Sequence, residues 1–332
     1  MGLILRKTHN PPIDVVLACG RFVSKPCILL TNDDGIEAIG LHALVRALHE
    51  RDFPIVVIAP ATEQSATSMK LSLGSNLKFE ERKDIADSIS KPDGAPLRMF
   101  SLDGSPCDCV IVAIDGGIDH WVPDMKPALC VSGINQGPNL SVDVMHSGTV
   151  SAAREAGLYG LPSIATSLCT YEHSNFEDTA EATAQVVEAA LAVLPPVAEN
   201  MLRPHRSARP VSGDGVDESI LAEFTHGNLM LNINAPKSWT NGFQTVSLGA
   251  RWYHNAIGLS NTEENGVAYG FKAAQIHDED IPNTDCTAVN NGSVAITPLS
   301  CWPINHPLGM SQDLLEKATK SGDNGLPFWL DN

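Results

Sequence analysis

Residues 27–32 (CILLTN) form an apolar run behind a proline, the pattern of a parallel strand buried on both faces. Asp33-Asp34-Gly35 interrupts it, and Leu41, Leu44, Val45 and Leu48 then recur at the spacing of one helix face. Residues 55–59 (IVVIA) make a second buried run, ended by Pro60. Strand, helix and strand within about 30 residues constitute a βαβ unit. The alternation continues. Residues 109–114 read as helix, 128–132 (ALCVS) as a third strand broken by Gly133, 150–158 as a helix ending at Gly160, 162–168 as a fourth strand, and 177–194 as an alanine-rich helix stopped by Pro195-Pro196. This predicts an α/β protein: a Rossmann-like, mostly parallel sheet with helices on both faces.

The texture then changes. Residues 203–218 (RPHRSARPVSGDGVDE) read as a loop whose arginines, Arg203, Arg206 and Arg209, are solvated. Residues 229–234, 243–248 and 288–299 alternate apolar with polar and read as antiparallel strands, whose open edges call for partners in an oligomer. Four segments are expected: an N-terminal extension (1–26), a catalytic α/β core (27–194), an inserted loop (195–228), and C-terminal strands that complete the core and serve assembly (229–332).

Charge narrows the partners. At a formal net charge of −17 the chain repels polyanions, and aromatic residues are 5%, too few for extended base stacking. Nucleic acid polymers and anionic membranes are therefore not expected; a small anionic substrate requires a bound cation to reverse the local field. The 8 cysteines, at 19, 27, 107, 109, 130, 169, 286 and 301, contain no C-x-x-C and often sit in apolar runs, so they read as buried thiols of a cytoplasmic protein. No apolar run approaches the roughly 18 residues of a membrane helix. The opening segment makes a poor signal peptide and reads as a plain extension.

Candidate chemistry lies just beyond the strand ends, where ligands bind in open α/β sheets. Asp33 and Asp34 follow the first strand. Adjacent carboxylates repel unless a proton or cation intervenes, and hard oxygen donors suit Mg²⁺, Mn²⁺ or Ca²⁺. The same tripeptide also fits an ordinary Asp-Gly turn capping the next helix. Ser65 follows the second strand and Asn135 the third, so oxygen donors recur at successive strand ends. Ser147-Gly148-Thr149 precedes the helix near Val150, and free N–H groups at a helix start favour an anion. Thr149 is expected to donate to a phosphate oxygen without touching the metal; simple capping remains open. Motifs of P-loop, zinc-peptidase, α/β-hydrolase and EF-hand type are absent.

Taken together, residues 28–44 (ILLTNDDGIEAIGLHAL), 56–68 (VVIAPATEQSATS), 102–110 (LDGSPCDCV), 132–153 (SGINQGPNLSVDVMHSGTVSAA) and 160–168 (GLPSIATSL) resemble the SurE survival-protein family of 5′/3′-nucleotidases, with weaker likeness at 231–236 and 285–299. The resemblance implies one divalent metal, Mg²⁺ or Mn²⁺, held by Asp33, Asp34, Ser65 and Asn135, with both aspartates catalytic. It implies hydrolysis of nucleoside 5′- and 3′-monophosphates, with short polyphosphate as a further substrate, and Asn139, Ser147, Gly148 and Thr149 at the phosphate. It also implies a homodimer or homotetramer that exchanges C-terminal elements. Two alternatives remain at this stage, a phosphatase for non-nucleotide esters and a degenerate nucleotide- and metal-binding protein. Lys70 replaces a small residue and His146 a tyrosine of the family pattern, which marks both as candidates for selectivity.

Overall fold

The computed structural model describes residues 25–172, 175–204, 215–240, 242–262 and 266–330. Most of the expected extension, Cys19, Arg206 and Arg209 lie outside them.

The strands are β1 (Cys27–Thr31), β2 (Ile55–Pro60), β3 (Phe79–Glu81), β4 (Leu97–Leu102), β5 (Pro127–Gln136), β6 (Ser163–Leu168), β7 (Leu229–Ala235), β8 (Phe243–Thr245), β9 (Arg251–His254), β10 (Ile257–Thr262), β11 (Gly266–Phe271), β12 (Gln275–Asp278) and β13 (Val294–Ser300). Nine of them form one sheet in the order β3-β4-β2-β1-β5-β6-β7-β13-β8. From β4 to β7 all pairings are parallel; β3 on β4 and β13 on β7 are antiparallel. The chain leaves β1 for β2 and β4 on one side and returns to lay β5 on the other. The end of β1 is thus the point where the strand order reverses, and a crevice opens there.

Period-two alternation explains why these runs are apolar throughout. Ile28 and Leu30 of β1, with Ile55 and Val57 of β2, face a core closed by the helices α1 (Ile39–Glu50) and, later in the chain, Glu177–Val193. Leu29, Val56 and Ile58 face the opposite core, with Cys109 and Val110. That second layer contains α3 (Pro106–Val112), α4 (Ile118–Trp121) and α5 (Gly148–Leu158); α2 (Lys83–Ile89) and α6 (Glu177–Val193) belong to the first. Among the described residues the remaining α-helices are α7 (Val216–Thr225), α8 (Asp285–Asn290) and α9 (Gln312–Ala318).

The expected strands and helices up to residue 194 are present, except that Gly133 does not break the third strand: β5 runs on to Gln136 with an irregular register and holds Asn135 in its last pairings with β6. β4 adds a strand that Arg98 and Ser101 disguise. The C-terminal expectations need correction. Residues 229–234 form β7, antiparallel to β13 as expected but also parallel to β6, so it lies inside the sheet and its polar Asn232 and Asn234 are fully buried. Both amides donate to the carbonyl of Asn139, at 2.9 and 3.0 Å, so the alternation marks a bracket for a loop. The run 288–299 splits, because α8 occupies its start and β13 begins only at Val294; Gly292, at a φ of 80°, makes the turn between them. The 243–248 run supplies β8, which pairs in parallel with β13. Outside the main sheet, β9 with β12 and β10 with β11 form two further antiparallel pairs. Arg203 is no solvated loop residue: its guanidinium donates to the carbonyls of Leu158 and Gly157, at 2.8 and 2.7 Å, and so caps the end of α5. The seven described cysteines are free thiols, six of them buried, as expected of small apolar fillers. Among the described residues no helix is long and apolar enough to cross a membrane.

One close approach fixes how α1 sits over the crevice. A Cβ on Gly40 would lie 2.3 Å from the carbonyl oxygen of Ile134 and 3.0 Å from the Phe176 ring. Neither the β5 backbone nor the packed ring can retreat. Gly40→Ala is therefore expected to destabilise the fold by about 1–3 kcal/mol, despite alanine's better helix propensity. Thermal unfolding followed by circular dichroism checks this; an unchanged or raised melting temperature contradicts it.

Candidate active site

The turn after β1 is built by Asn32. Its buried side chain donates to the carbonyl of Gly35 at 2.9 Å and accepts the Gly35 N–H at 3.2 Å, while Gly35 takes a φ of 98°. Between these bonds the chain can only push Asp33 and Asp34 into the crevice. Asp33 is 3% exposed and Asp34 half-buried.

Three segments are tied to this pair: the loop after β2, the end of β5 and the start of α5. Gln64, next to Ser65, donates its N–H to the Asp33 carbonyl at 2.7 Å. Gln136, next to Asn135, donates its N–H to Asp34 Oδ2 at 3.1 Å. Thr149 donates its hydroxyl to Asp33 Oδ1. A Cβ on Gly148 would sit 2.8 Å from the Asp33 Cβ and 2.9 Å from its Oδ2, so only glycine lets the first turn of α5 press against this carboxylate.

The electrostatics of the pair are unfavourable without a counter-charge. Burial pushes the Asp33 carboxyl up, against the lowering effect of Thr149; Glu63 adds repulsion. Asp34 is raised to about 6, first by burial and then by the neighbouring Asp33 charge, with the Gln136 N–H working the other way. Glu63, exposed on the Ser65 loop, was not singled out in the sequence, although it precedes Ser65 by two positions.

The other expected residues fall as follows. Ser65 is exposed and its hydroxyl donates to Glu63 Oε1 at 2.8 Å. Asn135 is half-buried and donates to the Gly137 carbonyl at 2.8 Å, leaving its side-chain oxygen free of any bond within the described residues. Ser147 caps α5 by accepting the Val150 N–H at 3.0 Å, and its own hydroxyl proton has no protein acceptor among the described residues. Thr149 differs from expectation, because its one hydroxyl proton goes to Asp33. Asn139 is 5% exposed; its side chain donates to Ser167 Oγ at 2.8 Å and its N–H to Asn234 Oδ1 at 2.9 Å. Lys70 and His146 are exposed on adjoining loops, joined where Ser68 donates its N–H to the His146 carbonyl at 3.0 Å.

Among the described residues no three His, Cys, Asp or Glu side chains gather as a metal cage. The donors at the β1 end are of another kind: two carboxylates, a hydroxyl and an amide oxygen, on two loops and the end of β5, joined by hydrogen bonds. All are hard oxygen ligands, and two raised carboxylates lack the positive partner that burial demands, so this set fits a Mg²⁺- or Mn²⁺-type ion.

The family model described as survival protein SurE matches residues 28–255. The chain belongs to this family. It is 34% identical over 305 residues to the 5′-nucleotidase SurE of Heliobacterium modesticaldum, covering 91% of this chain and 94% of that one. Its likeness to the 5′-nucleotidase SurE of Natranaerobius thermophilus is 33% over 277 residues, or 82% and 92% of the two chains. Among solved structures, the SurE protein of Aquifex aeolicus superposes with a TM-score of 0.60 at 27% identity, covering 84% of this chain and 95% of that one. The SurE fold thus spans the sheet and the loops at its crevice.

The raised acids make a stability prediction. Asp34 holds its proton more tightly in the folded, metal-free protein than in the unfolded chain. Its contribution favours the fold below the unfolded value of 3.8 and is lost as pH rises through about 6. In chelator at pH 7, Asp34→Asn is expected to melt higher than wild type, and the rise in wild-type stability on acidification from roughly pH 7 to 5 should flatten in the mutant. Calorimetry in chelator decides it; a mutant that melts at or below wild type rules this out.

Proposed function

We propose that the protein is a divalent-metal-dependent phosphomonoesterase that hydrolyses nucleoside 5′-monophosphates to nucleoside and phosphate. The supporting observation is the convergence of the loop after β2 and the end of β5 on a buried Asp33–Asp34 pair, with the start of α5 pressed against Asp33. We infer 3′-monophosphates and short polyphosphate as further substrates of the same site.

Asp33, Asp34, Ser65 and Asn135 would hold the ion. When bound, such an ion polarises a phosphoryl oxygen and lowers the pKa of coordinated water. The chain's own residues do the rest. The positive end of the α5 dipole, together with the uncommitted Ser147 hydroxyl, forms a cradle for the phosphate's negative charge. Thr149 orients Asp33 and favours its ionised form against the effect of burial. Gln136 does the same for Asp34 through its backbone. Lys70 and His146, exposed at the rim, are the candidates for selecting among substrates. We further infer a homodimer or homotetramer, supported by Tyr269 and Phe271 of β11, which are 70% and 90% exposed.

A panel of phosphate esters tests the reading. With Mg²⁺ or Mn²⁺, 5′-nucleotides should be hydrolysed faster than sugar phosphates. Excess chelator, Asp33→Asn or Asp34→Asn should each abolish turnover without loss of the fold. Full activity in chelator overturns it. Lys70→Ala should change the ratio of monophosphate to tripolyphosphate hydrolysis, and an unchanged ratio returns that lysine to the solvated surface.

Thr149→Val keeps the branched shape and removes the donor to Asp33. Hydrogen bonds to charged groups are worth about 1.5–3 kcal/mol, so kcat/KM should fall about 10- to 150-fold. Because the lost partner is Asp33, metal affinity measured by calorimetry should fall as well. Unchanged metal affinity with lowered kcat/KM would instead mean a direct contact to the phosphate.

A further inference from the structure

The turn that leads into α5 is held from the far end of the chain. Residues Ser141–Met145 form a short 3₁₀ turn between the Asn139 bracket and the Ser147 cap. Ser141 enters it with a φ of 51°, a left-handed conformation that a side chain adopts only where its surroundings enforce it. The enforcement is visible. The Ser141 N–H donates to Asp285 Oδ2 at 2.9 Å, and its hydroxyl donates to the Gly249 carbonyl at 2.8 Å while accepting the Arg251 N–H at 3.0 Å. Two residues later, Asp143 accepts from Arg251 Nη1 at 3.1 Å and from the Tyr253 hydroxyl at 2.6 Å.

Both anchors are built groups. Asp285 is fully buried at the start of α8 and also accepts the Gly249 N–H at 2.7 Å. Arg251 is 7% exposed and forks onto Asp278 through Nε and Nη2, at 2.7 and 2.8 Å. On its other side the same turn holds the Ser65 loop, since Ser68 donates its hydroxyl to the Met145 carbonyl at 2.9 Å and its N–H to that of His146 at 3.0 Å. The turn then ends on the Ser147 cap, two residues before the donor to Asp33. A displacement of residues 141–147 therefore moves one loop of the ion site and the phosphate cradle together.

We infer that Arg251 and Asp285 are positioning residues for the phosphoryl-transfer site: through Asp143 and Ser141 they hold the 141–147 turn, and with it the start of α5 and the Ser65 loop, in the reactive arrangement. This rests on the phosphomonoesterase reading. It gives the C-terminal strands a part in the chemistry beside assembly. A desolvated Arg between two carboxylates adds little net stability, because charge burial offsets the attraction. Its directional fork fixes geometry instead, and misplacing reacting groups by about 1 Å costs up to roughly 100-fold in rate.

Arg251→Lys keeps the charge and loses the fork. Asp278→Asn leaves Arg251 in place but weakens its anchor from the outer hairpin. Each would be compared with wild type for kcat and KM on a nucleoside 5′-monophosphate, Mn²⁺ affinity by calorimetry, and hydrogen exchange of residues 139–149 in chelator. The expected result is a fall in kcat of about 10- to 100-fold with KM within about twofold of wild type, weaker Mn²⁺ binding, and faster exchange confined to that segment. Wild-type kcat and Mn²⁺ affinity, with only the melting temperature lowered, overturn the inference and leave Arg251 as a structural ion pair. If Arg251→Lys does not fold, Asp278→Asn decides by the same criteria. A wild-type protein that hydrolyses no phosphate ester refutes the phosphomonoesterase reading; Mn²⁺ affinity and exchange in the variants still decide whether the clamp holds the site.

Discussion

Two carboxylates on consecutive residues, driven into a recess at the end of a buried strand, cannot both carry charge there without help. Water is largely withheld from Asp33, burial raises both acids, and the Asp33 charge raises Asp34 further. The surrounding groups answer this in part. The Thr149 hydroxyl, the Gln136 N–H and the positive end of α5 all face the pair, and all favour the ionised form. Glu63 works against them. The remaining deficit of positive charge is what makes the recess a place for a cation. It also means that the folded chain carries stored instability at the site, as binding and catalytic centres commonly do.

The sheet turns this local conflict into a defined geometry. Because the strand order reverses at β1, the loops after β2 and β5 meet the loop after β1 from opposite sides. Backbone hydrogen bonds from Gln64 and Gln136 lock each loop to the aspartate turn. The helix that follows β5 needs its start against Asp33, and Gly148 permits the contact. What could drift is the stretch between β5 and α5. It is restrained at Asn139 by the amides of β7 and at Ser141 and Asp143 by Asp285 and Arg251. The C-terminal third of the chain thereby frames the crevice although it carries none of the residues proposed to touch substrate.

The alternation of apolar runs and helical faces, read along the chain, determined the α/β class, the parallel core and the strand ends after which Asp33, Ser65 and Ser147 occur, but not that β5 continues through Gly133 and carries Asn135 within it. Those features are local: burial on both faces demands unbroken apolar runs, and glycine and proline mark where strands stop. Tertiary structure alone decided which groups face one another. That Thr149 donates to Asp33, that Glu63 repels it, and that Arg251 reaches back over more than a hundred positions to Asp143 follow from sheet order and loop closure, which leave no periodic trace. The same holds for Asn232 and Asn234, whose alternation with leucine and isoleucine spells a half-solvated strand until the loop they bracket is seen. A polar side chain in a sequence carries no mark of whether water or another part of the chain will satisfy it; only the fold supplies the partner.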